Sequence, residues 1–240
     1  MKISRLVIGS LILLTSCYKT IDSTKEVCTS GCTIVQGRVT TLNDRAVSGV
    51  KVKIGSIRNT SSASGVTRNI AETTSDAFGH YQLKFSLNEQ EWGLQSTAEV
   101  YLRYSYDTTV YAPLSAGLTD VLISSPRLLL FTNKEITVDR SIYLSLKAKA
   151  NIRLQGFYTS GSDYNGFYVT PTFRSGVYNY YRDGAYVATV QSATIEQLVN
   201  VAGNDTTRFR IEKRKSGQRF LSDTAVYTPL AQTTNLVFTF

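Results

Sequence analysis

Hydrophobic and polar residues alternate at period two in several short segments, the spacing that puts every second side chain on one face of a β-strand. In residues 81–87, "YQLKFSL", Tyr81, Leu83, Phe85 and Leu87 share one face while Gln82, Lys84 and Ser86 share the other. Val50, Val52 and Ile54 alternate with Lys51 and Lys53, and Val100, Leu102, Tyr104 and Tyr106 repeat the pattern. Further along, Phe209 and Ile211 point one way with Arg208, Arg210 and Glu212 the other, and Leu236, Phe238 and Phe240 keep the same phase. Gly, Asn, Asp and Ser punctuate these runs, so the pattern predicts many short strands joined by turns, an all-β chain of sandwiches. Residues 193–201, "ATIEQLVNV", are the one stretch that predicts a short helix. Residues 58–69, "RNTSSASGVTRN", are small and polar and predict an exposed loop.

The N-terminus follows a different pattern. Lys2 and Arg5 precede an apolar run over residues 6–15 that ends in the small residues Thr15 and Ser16. A bilayer span needs about 20 apolar residues, so this run predicts an export signal instead. Residues 14–17, "LTSC", resemble the lipobox of bacterial lipoproteins, with Ser16 where Gly or Ala is commoner. The resemblance implies cleavage before Cys17, acylation of that cysteine, and a membrane partner reached through a lipid anchor, in the outer membrane of the cell envelope. The following "YKTIDSTKE" has only Asp22 and Glu26 as acids, which leaves the periplasmic and the surface face both open. Of the three cysteines, Cys28 and Cys32 then remain as an even pair, expected to form a disulfide across Thr29, Ser30 and Gly31. Residues 17–32 read as a lipidated polar tether. Loss of residues 1–16 lowers the formal charge of +8 by the two charges of Lys2 and Arg5.

The body divides in two. "VQGRVTT", "AVSGVKVKI" and "TTSDAFGHYQLKF", within residues 33–87, resemble the transthyretin-like, carboxypeptidase-regulatory-like β-sandwich, a fold used as an accessory module rather than for one activity. In that motif Gly79 is expected at positive φ, with Asp76 bonding turn amides. "RYSYDTTVYAPL" (residues 103–114) aligns without gaps to "RFLSDTAVYTPL" (residues 219–230), and "IVQGRVTT" (34–41) is echoed by "IRLQGFYT" (152–159). Two matches in the same order predict tandem related units, immunoglobulin-like or transthyretin-like sandwiches over residues 33–146 and 147–240. Pro113 and Pro229 suggest that the shared motif is a structural corner.

Candidate chemistry is sparse. The single histidine, His80, falls in the Gly79 turn, and no nucleophile elbow accompanies it. Cys28 and Cys32 lack the further ligands a zinc site needs. Glu89, Glu91, Asp163 and Asp183 have no spacing that selects an acid pair. No metal or cofactor and no enzyme activity are therefore expected, and an exported chain has no route to nucleic acid despite its pI of 9.4. Two surface features stand out. Tyr158, Tyr164, Tyr180 and Tyr181, in an aromatic-rich region, are candidate contacts for a glycan or protein. Lys213, Arg214, Lys215 and Arg219, around a Ser216-Gly217 turn, are candidate contacts for an anionic partner. The expectation is a non-enzymatic, lipid-anchored binding or interaction module, with a glycan-binding uptake lipoprotein or a pilin-like structural subunit as alternatives.

Overall fold

The structure is a computed structural model that describes residues 19–22, 28–58, 66–93, 97–112, 114, 121–123, 133–156, 166–176, 181–182, 186–188, 194–215 and 217–240. The N-terminal half contains β1 (Lys19–Asp22), β2 (Thr33–Thr41), β3 (Arg45–Ala46), β4 (Lys51–Arg58), β5 (Val66–Thr74), β6 (His80–Phe85), β7 (Ala98–Ser105), β8 (Val121–Ile123), β9 (Thr137–Asp139) and β10 (Ile142–Tyr143). The C-terminal half contains β11 (Lys147–Gln155), β12 (Gly166–Phe173), β13 (Tyr181–Arg182), β14 (Tyr186–Ala188), β15 (Thr194–Ala202), β16 (Asp205–Lys215), β17 (Gln218–Thr228) and β18 (Thr233–Thr239).

Alternation places these strands in two sandwiches. In the first, a sheet of order β1-β5-β4-β7-β8 faces a group centred on β2, which β6 and β3 pair antiparallel and β9 and β10 pair parallel. Val52, Ile54, Leu102 and Tyr104 from one side meet Val35, Val39, Leu83 and Phe85 from the other in a continuous core. In the second, β15-β11-β18 faces β13-β12-β16-β17, with β14 also against β12. Ile152, Leu154, Val199 and Val201 pack there on Phe167, Val169, Phe209 and Ile211. Phe238 and Phe240 cap this core, their rings 6.0 Å from Phe209 and 5.7 Å from Phe167. Leu144 is the last residue contributed to the first core and Ala148 the first contributed to the second.

One polar pair lies inside the first core. The Tyr81 and Tyr104 rings meet edge to face at 6.0 Å, with their hydroxyl oxygens 2.9 Å apart, and the Tyr81 hydroxyl also donates to the Arg140 carbonyl. Burial, which disfavours the phenolate, pushes Tyr81 up to about 12 and also raises Tyr104 well above its ordinary value. A raised folded-state pKa favours folding below the unfolded value and loses that contribution as pH climbs through the folded one. The protein is therefore expected to keep this contribution up to pH 10 and lose it as pH approaches about 12. Circular dichroism followed together with tyrosinate absorbance checks this: ionisation of the two tyrosines should coincide with unfolding, not precede it.

Three expectations change. Residues 194–202 form strand β15, paired with β11 at nine successive positions from Lys147↔Ala202 to Gln155↔Thr194, instead of a helix. Val199 and Val201 enter the core in period two, and β-branched residues suit that pleated surface. Within the supposed tether, Lys19–Asp22 pairs parallel with β5 from Lys19↔Val66 to Asp22↔Asn69. Residues 66–69, read as loop, begin β5; residues 59–65 lie outside the described residues. In the second copy of the repeated motif the strand ends at Thr228, just before Pro229, while Pro113 lies outside the described residues; ahead of the prolines the two copies differ. Asp107 Oδ1 closes a turn by accepting from the Thr109 amide and hydroxyl at 2.8 and 2.6 Å, whereas Asp223 lies inside β17, opposite Arg210.

The two cores are tied by backbone bonds. The Ala112 amide donates to Ser145 O, Lys147 to Val110 O, and Gly203 to Leu146 O, at 2.7 to 2.9 Å. Gly176 donates to Tyr143 O at 2.8 Å, and Arg174 stacks 4.0 Å from the Tyr143 ring centroid. Ala112, Phe173 and Ala202 form a small apolar cluster of their own.

Candidate functional site

Outward residues of β2, β6 and β9 (Gln36, Arg38, His80, Gln82 and Asp139), together with Gly37, the core residue Tyr81 and the flanking Asp76 and Ser141, line an open polar cleft of about 540 Å³. Antiparallel register sets Gln36 opposite Gln82 and Arg38 opposite His80, while parallel register sets Gln36 opposite Asp139. Period two makes these residues neighbours once Val35, Leu83 and Phe85 are committed to the core. A hydrogen-bond relay runs across the strands: Gln82 Nε2 donates to Gln36 Oε1 at 3.1 Å, and Gln36 Nε2 donates to Asp139 Oδ1 at 3.2 Å. At one end the Arg38 side chain donates to Phe78 O at 3.0 Å. Asp76 Oδ1 accepts the Phe78 and His80 amides, both at 2.8 Å, around Gly79 at φ +77°. Each planar amide in this line has further donor or acceptor capacity. The cleft suits a polar ligand held by several hydrogen bonds.

A second, smaller hollow of about 170 Å³ lies at the edge of the other sheet, lined by Ser56, Arg58, Val66, Arg68, Asn88, Gln90, Glu91 and Ala98. Its floor is the buried Glu91 carboxylate. Glu91 accepts from Ser56 Oγ at 2.5 Å, Arg68 Nη1 at 2.5 Å and the Asn88 amide at 2.8 Å. The last of these belongs to a capping box that starts the short 3-10 turn Glu89–Glu91. Period-two reasoning passes over this group because Glu91 lies between strands and its partners are 23 and 35 residues away. The one local signal is Asn88 with Glu91 three residues on, the spacing of a capping box.

Cys17 and the tyrosines Tyr158, Tyr164 and Tyr180 lie outside the described residues; Tyr181 pairs with Phe173 through the β13 backbone. The Cys28 and Cys32 sulfurs are at bonding distance, with Cα atoms 5.8 Å apart. His80 is exposed at the rim of the polar cleft. Among the four carboxylates considered, Glu89 is paired with Lys134, Glu91 is the buried group above, and Asp163 and Asp183 lie outside the described residues. The four cations of the β16–β17 hairpin are brought together but are largely engaged with their own sandwich. Arg214 and Arg219 each bind Glu212 at 2.6 Å. Lys213 lies 5.9 Å from the Phe167 ring centroid and Lys215 lies 4.7 Å from that of Phe240.

Arg219, then Arg214, hold the Glu212 carboxyl below its ordinary 4.5. A depressed folded-state pKa gives stability that is present above the ordinary value and is lost as pH falls through the folded one. The triad should therefore survive mild acid and open only below pH 4.5. A carboxyl titration by NMR checks this, with the Glu212 midpoint expected to rise toward the ordinary value in Arg219→Ala.

No family model matches the sequence, and no curated protein matches it. Among solved structures the chain is similar to the Bacillus anthracis TIE protein, at 5% identity and TM-score 0.30, over 87% of this chain and 34% of that one. It is also similar to a streptococcal ancillary pilin (10% identity, TM-score 0.27, 88% and 63% of the two chains). A third is the shaft pilin SpaA of Lactobacillus rhamnosus GG (10% identity, TM-score 0.28, 87% and 97%). The chain thus spans about a third of the first of these proteins and under two thirds of the second. The class of this protein, an all-β chain of packed sheets, follows from its own strands and cores.

Proposed function

We propose that this chain is an exported, lipid-anchored and non-catalytic envelope protein whose first sandwich binds a polar partner in the β2–β6–β9 cleft. The observation that carries the reading is the Gln82–Gln36–Asp139 relay on an outward sheet face. The relay holds its amides in one orientation across three strands and leaves them donor and acceptor capacity toward the cleft. A neutral glycan or an extended polar peptide segment presents matching groups. Anchoring rests on "LTSC" and the short apolar run before it, and several acyl chains at about 0.8 kcal/mol per buried CH₂ would hold the protein firmly.

Two measurements test the reading. Labelled palmitate should enter the wild-type protein and be absent from Cys17→Ala, which should move to the soluble fraction; label retained in the variant overturns the anchor. NMR titration with neutral oligosaccharides and polar peptides should shift the Gln36 and Gln82 side-chain amides, with the response lost in Gln36→Ala. Shifts confined to other surfaces would overturn the cleft. A pilin-like assembly by strand exchange would have to release β18, which pairs parallel with β11 at seven positions.

A further inference from the structure

Strand β1 changes where the membrane would lie. It begins at Lys19, beside Val66. Val66 is opposite Arg58, and Arg58 is opposite Ala98. Lys19, Val66, Arg58 and Ala98 thus form one row across the sheet, at the end where β4 stops and β5 and β7 start. Arg58 Nη1 donates to Gln90 Oε1 at 2.5 Å, which brings the turn before Trp92 to the same end.

Cys17 is two residues ahead of Lys19. Two residues of fully extended chain reach about 7 Å, so an acylated Cys17 has no slack to lift the body away from the lipid. Resting on the lipid-anchor reading above, we propose that the end of the first sandwich carrying Arg58, Gln90 and Trp92 sits on the lipid headgroups. It is held there by β1 as a clamp rather than by a long tether.

Two cations at this end are internally paired, Arg68 with Glu91 and Lys134 with Glu89, while Arg58 bonds the neutral Gln90 and Lys19 opens the row. On neutral lipid the contact is set by the anchor and by β1 pairing, so salt should not control it there; on anionic lipid the charges of Arg58 and Lys19 add an attraction that salt screens. The other end of the sandwich joins the second one, and β11 and β16 run on from that joint. The nine residues of β11 carry the chain about 30 Å further at roughly 3.3 Å per residue. The cations of the β16–β17 hairpin, with Phe220 exposed beside them, consequently face away from the anchoring membrane.

Trp92 is the only tryptophan in the chain, so its emission reports this end directly. The acylated full-length protein is reconstituted in phosphatidylcholine vesicles containing a lipid with a nitroxide on its headgroup. Trp92 emission should fall as the nitroxide fraction rises, equally at low and high salt. In the variant Trp92→Phe with Phe220→Trp, emission should be unaffected. A long Gly-Ser insertion between Cys17 and Tyr18 should abolish the quenching while the protein stays bound. Quenching at position 220, or an unquenched Trp92 in protein that is acylated and bound, overturns the clamp and leaves the anchor reading standing. Protein that carries no acyl chain overturns both.

Discussion

Glu91→Ala should unfold at markedly lower urea than the wild type, with a loss of about 3 kcal/mol and an unchanged slope. The side chain of Glu91 is 3% exposed and that of Arg68 19% exposed. Removing the carboxylate leaves a mostly buried guanidinium unpaired, strips Ser56 of its acceptor and undoes the capping box that holds the Glu89–Glu91 turn. An unpaired buried charge costs more than the pair gains, because desolvation is no longer offset. Glu91→Gln keeps an acceptor for Ser56 and Asn88 and should lose less. Arg68→Met with Glu91→Leu should recover most of the loss, since a buried ion pair and an apolar replacement of similar volume are nearly equivalent. If Glu91→Ala costs no more than an ordinary surface change, the network is incidental. Trp92, next in sequence, gives the same melts a local optical signal.

Gly37→Ala should cost about 3 kcal/mol, the upper end of the range for overpacking, and Gly37→Val more. A Cβ at Gly37 would lie 2.3 Å from Arg140 O and 2.9 Å from Ser141 N. Both obstacles are backbone, so no rotamer change relieves them. The same carbonyl accepts the Tyr81 hydroxyl, and the Arg140 amide donates to Gln36 O at 2.7 Å. Displacing residues 140–141 would thus disturb the core tyrosine pair and the cleft together. Amide exchange in β2 and β9 should accelerate together in the Gly37→Ala variant; a protected β9 at wild-type stability would contradict the close approach.

Much of this fold is legible in the sequence wherever burial is one-sided. Tyr81, Leu83 and Phe85, Val52 and Ile54, and Phe209 and Ile211 all face the cores their alternation assigns them. The failures share a cause. Glu196, Gln197 and Leu198 favour helix locally, but pairing with β11 is nonlocal and outweighs propensity. Leu198 ends up exposed on the outer face. Lys19–Asp22 is four residues long and carries no period of its own, because its register comes from β5. Glu91 was visible as an acid but not as a buried one, since burial depends on Arg68 and Ser56 arriving from distant strands. The cleft follows the same logic. Its residues are the polar halves of alternating strands, and nothing in any single strand announces that Gln36, Gln82 and Asp139 meet.

Both sandwiches are closed by late partners. β2 waits for β9 and β10, its Thr41 hydroxyl bonding a carbonyl 103 residues further on. β11 waits for β18, with side-chain bonds spanning 84 residues. A chain made from its N-terminus therefore cannot complete the first sheet set before residue 143 is available, nor the second before residue 239. Contacts this distant in sequence also form slowly. Each core therefore stays open until its last strand arrives, so closure of the first sandwich is timed by β9 and β10 and closure of the second by β18.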